Sequence, residues 1–394
     1  MKPLLFSILP RPPHPSRDGL AIRNYQLLKG LAGEFEVRAF ALRAPGVEPG
    51  EYPEGVERVE IPHASRLWRQ PAAAMESVLL RGVYSRSLYR SRGLTRAVRE
   101  ASLERPPVWT VAHSYHVGPF ALDCGPRAWI DFHNVDSEIW ARVGQSATGA
   151  NPTAWFAARQ AVRLQEWEGD LVRAATGISC VAERDAASLS GLQPRVAPLV
   201  VPNGVDLARY RFRAEPAAAK SIFFVGDLSW PPNAQAVRWL HREIWPLIRR
   251  AHPEAEAEIL GRGAPADLRR GRDASFRLLG EGGDTRPHWA KAAVAVVPLL
   301  TGGGTRLKIL EAAASGVPVV ATRVGAEGLE LAPDREILLR DRAEDFASAV
   351  SELLREPALG ARLARAARAR VEALYDWNLI TARFAAELAR RARS

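Results

Sequence analysis

The chain has 394 residues, 47% hydrophobic and 25% charged, an ordinary composition for a globular protein with room for two or three domains. Its net charge of +10 draws anionic partners. Its two cysteines, Cys124 and Cys180, exclude a disulfide framework and a four-cysteine zinc site and fit a reducing, cytoplasmic compartment. No apolar run reaches the roughly 18 to 20 residues of a membrane helix, so any membrane contact is expected to be peripheral.

The opening "MKPLLFSILPRPP" has too short an apolar run for a secretory signal and reads as a first buried strand at 4–9. The following "RDGLAIRNYQLLKGL" at 17–31 reads as a loop and helix. Further strands are expected at 35–42, 56–61, 108–113, 128–132 and 177–181. Between them, residues 66–100 concentrate Arg66, Arg69, Arg81, Arg86, Arg90, Arg92, Arg96 and Arg99, interleaved with Trp68, Leu79, Leu80, Val83, Tyr84 and Leu88. That mixture is either a solvated helical face or a surface that meets an anionic membrane or a lipid-linked phosphate.

A polar, proline-bearing stretch near 205–220 separates this series from a second, with strands expected at 222–225, 256–260, 276–279, 294–297, 317–321 and 337–339. Strands alternating with helices imply two doubly wound Rossmann-like α/β domains, at 1–205 and 206–375, with a last helix at 376–394 packing back on the first. In such sheets ligands bind beyond the carboxyl ends of the strands. The residues of interest therefore follow strands.

After the strand at 294–297 comes "TGGGTRLKILEAAASG", in which a helix is expected from about Arg306 to Gly316. Cations in its first turn are unfavourable by about 0.3 to 1 kcal/mol each. Bare glycine amides, the helix N-terminus, the fork of Arg306 and the point charge of Lys308 together suit a diphosphate. The carboxylate of Glu311 suits ribose hydroxyls, and suits equally an ion pair with Lys308 three residues back.

"VVPNGVD" at 200–206, "FFVGDLSWPPNAQAVRWLHREIWPLIRRAHPEAEAEILG" at 223–261 and "GGGTRLKILEAAASGVPVVATRVGAEGL" at 302–329 resemble the carboxyl-terminal half of family 4 glycosyltransferases, and in particular polysaccharide-assembly sugar transferases with a Gly-Gly-Gly-Thr-Arg-Leu-Lys loop. The resemblance implies the GT-B fold, two Rossmann-like domains facing across a cleft, and sugar transfer from a nucleotide-sugar donor with retention of configuration. Arg306 and Lys308 would then hold the donor diphosphate and act catalytically, Glu311 would hold the ribose, and Gly226, Asp227, Gly280, Glu281, Gly302, Gly303, Gly304 and Thr305 would line the donor pocket. One departure stands out: many members carry a glutamate where this chain has Gly303.

In the first domain the resemblance brings Asp18, Gly19 and Arg23 toward an acceptor or phosphate. His133 and one of His113 or His116 would lie near the transferred sugar, with Asn134 beside them. A structural role for each histidine remains open. The implied partners are a nucleotide sugar and a glycan or lipid-linked acceptor, with no nucleic acid. No cofactor is implied, and without an Asp-x-Asp motif or zinc-spaced ligands the reaction is expected to need no metal.

Rival readings are a non-catalytic anion-binding scaffold, a nucleotide-sugar epimerase and a nicotinamide-dependent dehydrogenase. The last rests on Gly261, Gly263 and Ala266 after a strand, with Glu281 further on. Against it, Pro265 and Gly271 allow only a short helix there.

Overall fold

The computed structural model of the protein describes all residues except 1, 16–17, 64–72, 74, 76, 78–81, 126, 147–151, 216, 218, 270–273, 282, 302–305 and 394. The chain divides into two compact units, Met1–Pro202 with Ile380–Ser394, and Asn203–Leu379. Among the described residues the first holds a seven-stranded sheet of β1 (Leu4–Leu9), β2 (Glu36–Arg43), β3 (Val56–Pro62), β4 (Trp109–Ala112), β5 (Ala128–Phe132), β6 (Gly177–Cys180) and β7 (Leu199–Val200), in the order β3-β2-β1-β4-β5-β6-β7. The second holds a six-stranded sheet of β8 (Ser221–Val225), β9 (Glu256–Leu260), β10 (Phe276–Gly280), β11 (Val294–Val297), β12 (Val319–Ala321) and β13 (Leu338–Leu339), in the order β10-β9-β8-β11-β12-β13.

Every neighbouring pair in both sheets is parallel. Helices therefore cover both faces, which is why β1 is buried at every position and reads in the sequence as a continuous apolar run. Each order runs outward from a central strand and then reverses, between β1 and β4 in the first unit and between β8 and β11 in the second. At such a reversal the flanking loops part and open a crevice at the carboxyl ends of the strands.

Twelve of these strands coincide with expected ones, apart from small shifts at their ends. β7 was not expected, because a two-residue strand shows no period. In the arginine-rich stretch the described side chains divide between the core and the surface. Arg66, Trp68, Arg69, Leu79, Leu80 and Arg81 lie outside the described residues, while Leu88 belongs to the core of the first unit and Val83 and Tyr84 pack against it. These apolar side chains face inward, and Arg86, Arg90, Arg92, Arg96 and Arg99 are left exposed.

The helix Trp377–Arg393 leaves the second unit and returns to the first. There the Trp109 indole donates to the Leu388 carbonyl at 2.9 Å and Phe384 meets Trp129 edge-on. Gly30, on the helix Gly19–Glu34, permits the approach, since a Cβ at that position would fall 2.3 Å from Thr381 Cβ. Gly30→Ala is expected to destabilise the protein by about 1 to 3 kcal/mol through overpacking. Urea unfolding of variant and wild type measures the difference.

Candidate functional site

In the second unit the carboxyl ends of three adjacent strands carry glycines in contact. The Gly226 amide, just beyond β8, donates to the Leu260 carbonyl at 2.9 Å, and the Gly261 amide donates to the Gly280 carbonyl at 2.9 Å. A Cβ on Gly261 would lie 1.9 Å from the Gly226 carbonyl oxygen, so no side chain fits there. The result is a bare backbone floor beside the β8/β11 reversal.

Lys308 reaches over that floor. It is the second residue of the helix Leu307–Ala314, which follows β11, and Arg306 occupies the N-cap position. The Lys308 ammonium donates to Asn233 Oδ1 at 3.2 Å and sits 4.0 Å from the centre of the Phe224 ring. A Cβ on Gly226 would fall 2.9 Å from its Nζ. Among the described residues Lys308 forms no ion pair, and the sequence-level alternative of pairing with Glu311 is not realised. Burial, then the nearby Arg306 charge, push its pKa down to about 7, while Glu311 acts in the opposite sense.

Glu311 lies one turn further along the same helix face. Its Oε2 accepts from the Trp289 indole at 3.0 Å and from the Thr285 hydroxyl at 3.1 Å. Burial raises its pKa above the ordinary carboxylate value, partly offset by these donors. A two-cation end and a carboxylate end thus share one helix. That arrangement can hold an anion joined to a hydroxylated ring.

The other residues expected at the donor pocket stand as follows. Asp227 shapes the loop after β8: its carboxylate accepts from the Ser229 amide at 2.9 Å and hydroxyl at 2.5 Å, and from Arg262 at 2.8 Å. The Glu281 side chain is 77% exposed and its carboxylate lies 3.9 Å from Arg262. Gly280 closes β10 with φ 76°. Gly302, Gly303, Gly304 and Thr305 lie outside the described residues. The helix after Gly261 has four described residues, Ala266–Arg269, and a dinucleotide needs a longer one packed there.

In the first unit, Asp18 is a helix cap. It accepts from the Ala21 amide at 3.1 Å and pairs with Arg11, ahead of Gly19 at the first position of the helix Gly19–Glu34. Arg23 was expected to meet an acceptor anion, but it is 1% exposed and committed to the protein. Its Nε and Nη2 each donate to Asp131 at 2.9 Å, and its Nη1 donates to the Pro202 carbonyl at 3.2 Å. Asp131 also accepts from Ser179 at 2.7 Å and has His133 Nε2 at 3.0 Å. Burial opposes ionisation of Asp131, yet Arg23 and His133 outweigh it and hold the carboxyl well below the usual range.

The three histidines diverge. His113 is fully buried against Ser7, and desolvation pushes its pKa down to about 3, which makes it a core residue. His133 keeps 15% of its side chain exposed and is oriented by Asp131, with Asn134 partly buried beside it. His116 is 21% exposed, its Nδ1 is 2.7 Å from Ser114 Oγ, and Tyr89 and Tyr115 flank its ring. Ser114 holds φ 154°, ψ 145°, a sparsely populated conformation that costs of order 1 to 3 kcal/mol and collects at functional sites.

Sequence reading missed Asp131, Phe224, Asn233, Thr285 and Trp289. For Asp131 there was a signal, an acid inside an apolar strand. The others partner residues far away in the chain.

Residues 219–356 match the family described as Glycosyl transferases group 1. Over 246 residues the chain is 30% identical to the glycogen synthase of Mycobacterium tuberculosis, a match covering 56% of this chain and 55% of that one. The chain thus spans about half the length of the curated relative it matches. Among solved structures, sucrose-phosphate synthase of Thermosynechococcus elongatus is similar with a TM-score of 0.72 at 18% identity, over 98% of each chain. Anabaena HepE in complex with UDP and glucose is similar with a TM-score of 0.68 at 13% identity, over 98% of this chain and 99% of that one. These likenesses show the fold, two parallel α/β sheets of the GT-B class.

The Lys308 environment sets a pH dependence for anion binding. An anion that restores the full ammonium charge takes up a proton wherever the empty site has lost it, so affinity falls as pH rises above about 7, by up to about tenfold per unit. Calorimetric titration of UDP or GDP from pH 6 to 9 measures the slope, and Lys308→Arg is expected to flatten it.

Proposed function

We propose that the protein is a retaining glycosyltransferase that moves a sugar from a nucleoside-diphosphate sugar to a glycan or lipid-linked acceptor in cell-surface polysaccharide or glycoconjugate synthesis. The observation that carries this reading is Lys308, with Arg306 beside it, aimed over a bare glycine floor at the β8/β11 reversal. Support comes from the group 1 match over the same unit and from the UDP and glucose in the HepE complex. In this reading the second unit takes the donor and the first takes the acceptor, with His133 and His116 as its histidines nearest the sugar.

The bond from the anomeric carbon to the diphosphate oxygen breaks while the acceptor oxygen attaches to the same face of that carbon. A diphosphate oxygen accepts the proton the acceptor hydroxyl loses. Negative charge grows on the leaving diphosphate, and a fixed cationic donor there is worth roughly 3 to 4 kcal/mol in the transition state. Lys308 and Arg306 supply that charge, so the transfer is expected to survive chelation by EDTA. Glu311 holds the ribose.

Thermal shift with UDP and GDP tests the site. A nucleoside diphosphate at 100 times its Kd is expected to stabilise the protein by about 2.7 kcal/mol. Arg306→Ala and Lys308→Ala should largely remove the shift and Glu311→Ala should reduce it. Responses like wild type in all three would place the site elsewhere, and binding without transfer or hydrolysis of the donor would make the protein a scaffold.

We also propose peripheral contact with an anionic membrane at the cytoplasmic face. No described helix is long and apolar enough to cross a membrane, and Arg86, Arg90, Arg92, Arg96 and Arg99 are exposed. Replacing these five with alanine should weaken sedimentation with phosphatidylserine vesicles. Unchanged sedimentation would make them a solvated face only.

A further inference from the structure

The surroundings of Glu311 carry more than a place for a ribose. Trp289 is 1% exposed and its ring is fixed edge-on against Phe223, with centres 4.6 Å apart. An indole nitrogen can only donate, so its proton points at Glu311 Oε2, 3.0 Å away. The Thr285 hydroxyl has one proton and lies 3.1 Å from the same oxygen, and the Tyr210 hydroxyl is 3.0 Å from Thr285 Oγ1. If the Thr285 proton goes to the carboxylate, Thr285 accepts from Tyr210. The chain Tyr210 to Thr285 to Glu311 then has one direction.

Among the described residues, Trp289 and Thr285 both donate to Oε2, and the Tyr210 hydroxyl acts on the same carboxylate. The carboxylate so held lies one helical turn from Lys308. We propose that Tyr210, Thr285 and Trp289 are positioning residues that fix Glu311 for the ribose diol, and that they make this site reject nucleotides lacking those hydroxyls. The inference rests on the donor reading above. The physical reason is pre-organisation: a carboxylate already held in one rotamer spends less ordering entropy on the diol, and a ligand without the hydroxyls forfeits the hydrogen bonds the carboxylate is aimed to accept.

The test is calorimetric titration with UDP and 2′,3′-dideoxy-UDP, and with the corresponding guanosine pair, on wild type, Thr285→Val, Tyr210→Phe and Trp289→Phe. Wild type is expected to prefer the ribose form by roughly tenfold or more, since a site built to bond a hydroxyl penalises its absence. Thr285→Val and Trp289→Phe should cut the preference to about threefold or less while leaving dideoxy affinity unchanged, with Tyr210→Phe intermediate, because they remove only donors to Glu311. Variants that retain the wild-type preference, or that lose both forms equally, overturn the positioning role and leave the donor reading standing. Wild type that binds neither pair overturns both. Trp289→Phe alters a buried residue, so Thr285→Val, which exchanges a hydroxyl for a methyl of similar size, decides if the former fails to fold.

Discussion

A cation removed from water must receive a counter-charge or surrender its proton, and the two units meet that constraint in opposite ways. In the first, Arg23 cannot surrender its proton and is given Asp131, bound through two nitrogens and backed by Ser179 and His133. Nothing is left over for a ligand. In the second, Lys308 is given an amide oxygen, an aromatic face and a second cation nearby, and burial lowers its pKa to about 7. A closed account in one unit and an open one in the other separate scaffold from site.

The open arrangement depends on what the sheet omits. Any side chain on Gly226 would meet Lys308 Nζ and Asn233, and any on Gly261 would meet the Gly226 carbonyl. Parallel strand order puts these positions side by side at the point where the crossover direction reverses, so absence of side chains in three separate segments becomes one continuous floor. The ring of Phe224, the residue before the last of β8, then lies under the ammonium and offers its face in place of a carboxylate.

Much of the fold was legible because parallel sheets bury both faces and print themselves as unbroken apolar runs, as in β1 and β11. β7 was not, since two residues carry no pattern. The site was legible in part: glycines, cations and an acid after strands mark candidates, but local pattern cannot say which are already satisfied. Arg23 and Lys308 both follow strands on helices, and only Asp131, 108 residues from Arg23, tells them apart. Lys308 and Glu311 stand at a spacing that favours pairing, yet their partners, Asn233 and Thr285 with Trp289, come from distant loops and helices. His113 and His133 look alike in sequence and differ by one being sealed in the core.

Cations at a helix start would ordinarily oppose the dipole by about 0.3 to 1 kcal/mol each. Lys308 reduces that opposition in the empty protein, because a group with a pKa of about 7 carries only part of its charge near neutral pH. What the fold stores is therefore geometry as well as charge: Asn233 and Phe224 fix where the Lys308 nitrogen sits. In the proposed reaction the incoming diphosphate draws the proton back and meets a cation already in place, so little reorganisation is left for the step in which its charge grows. A solvated lysine on a mobile loop would keep its charge at all times and lose this fixed position.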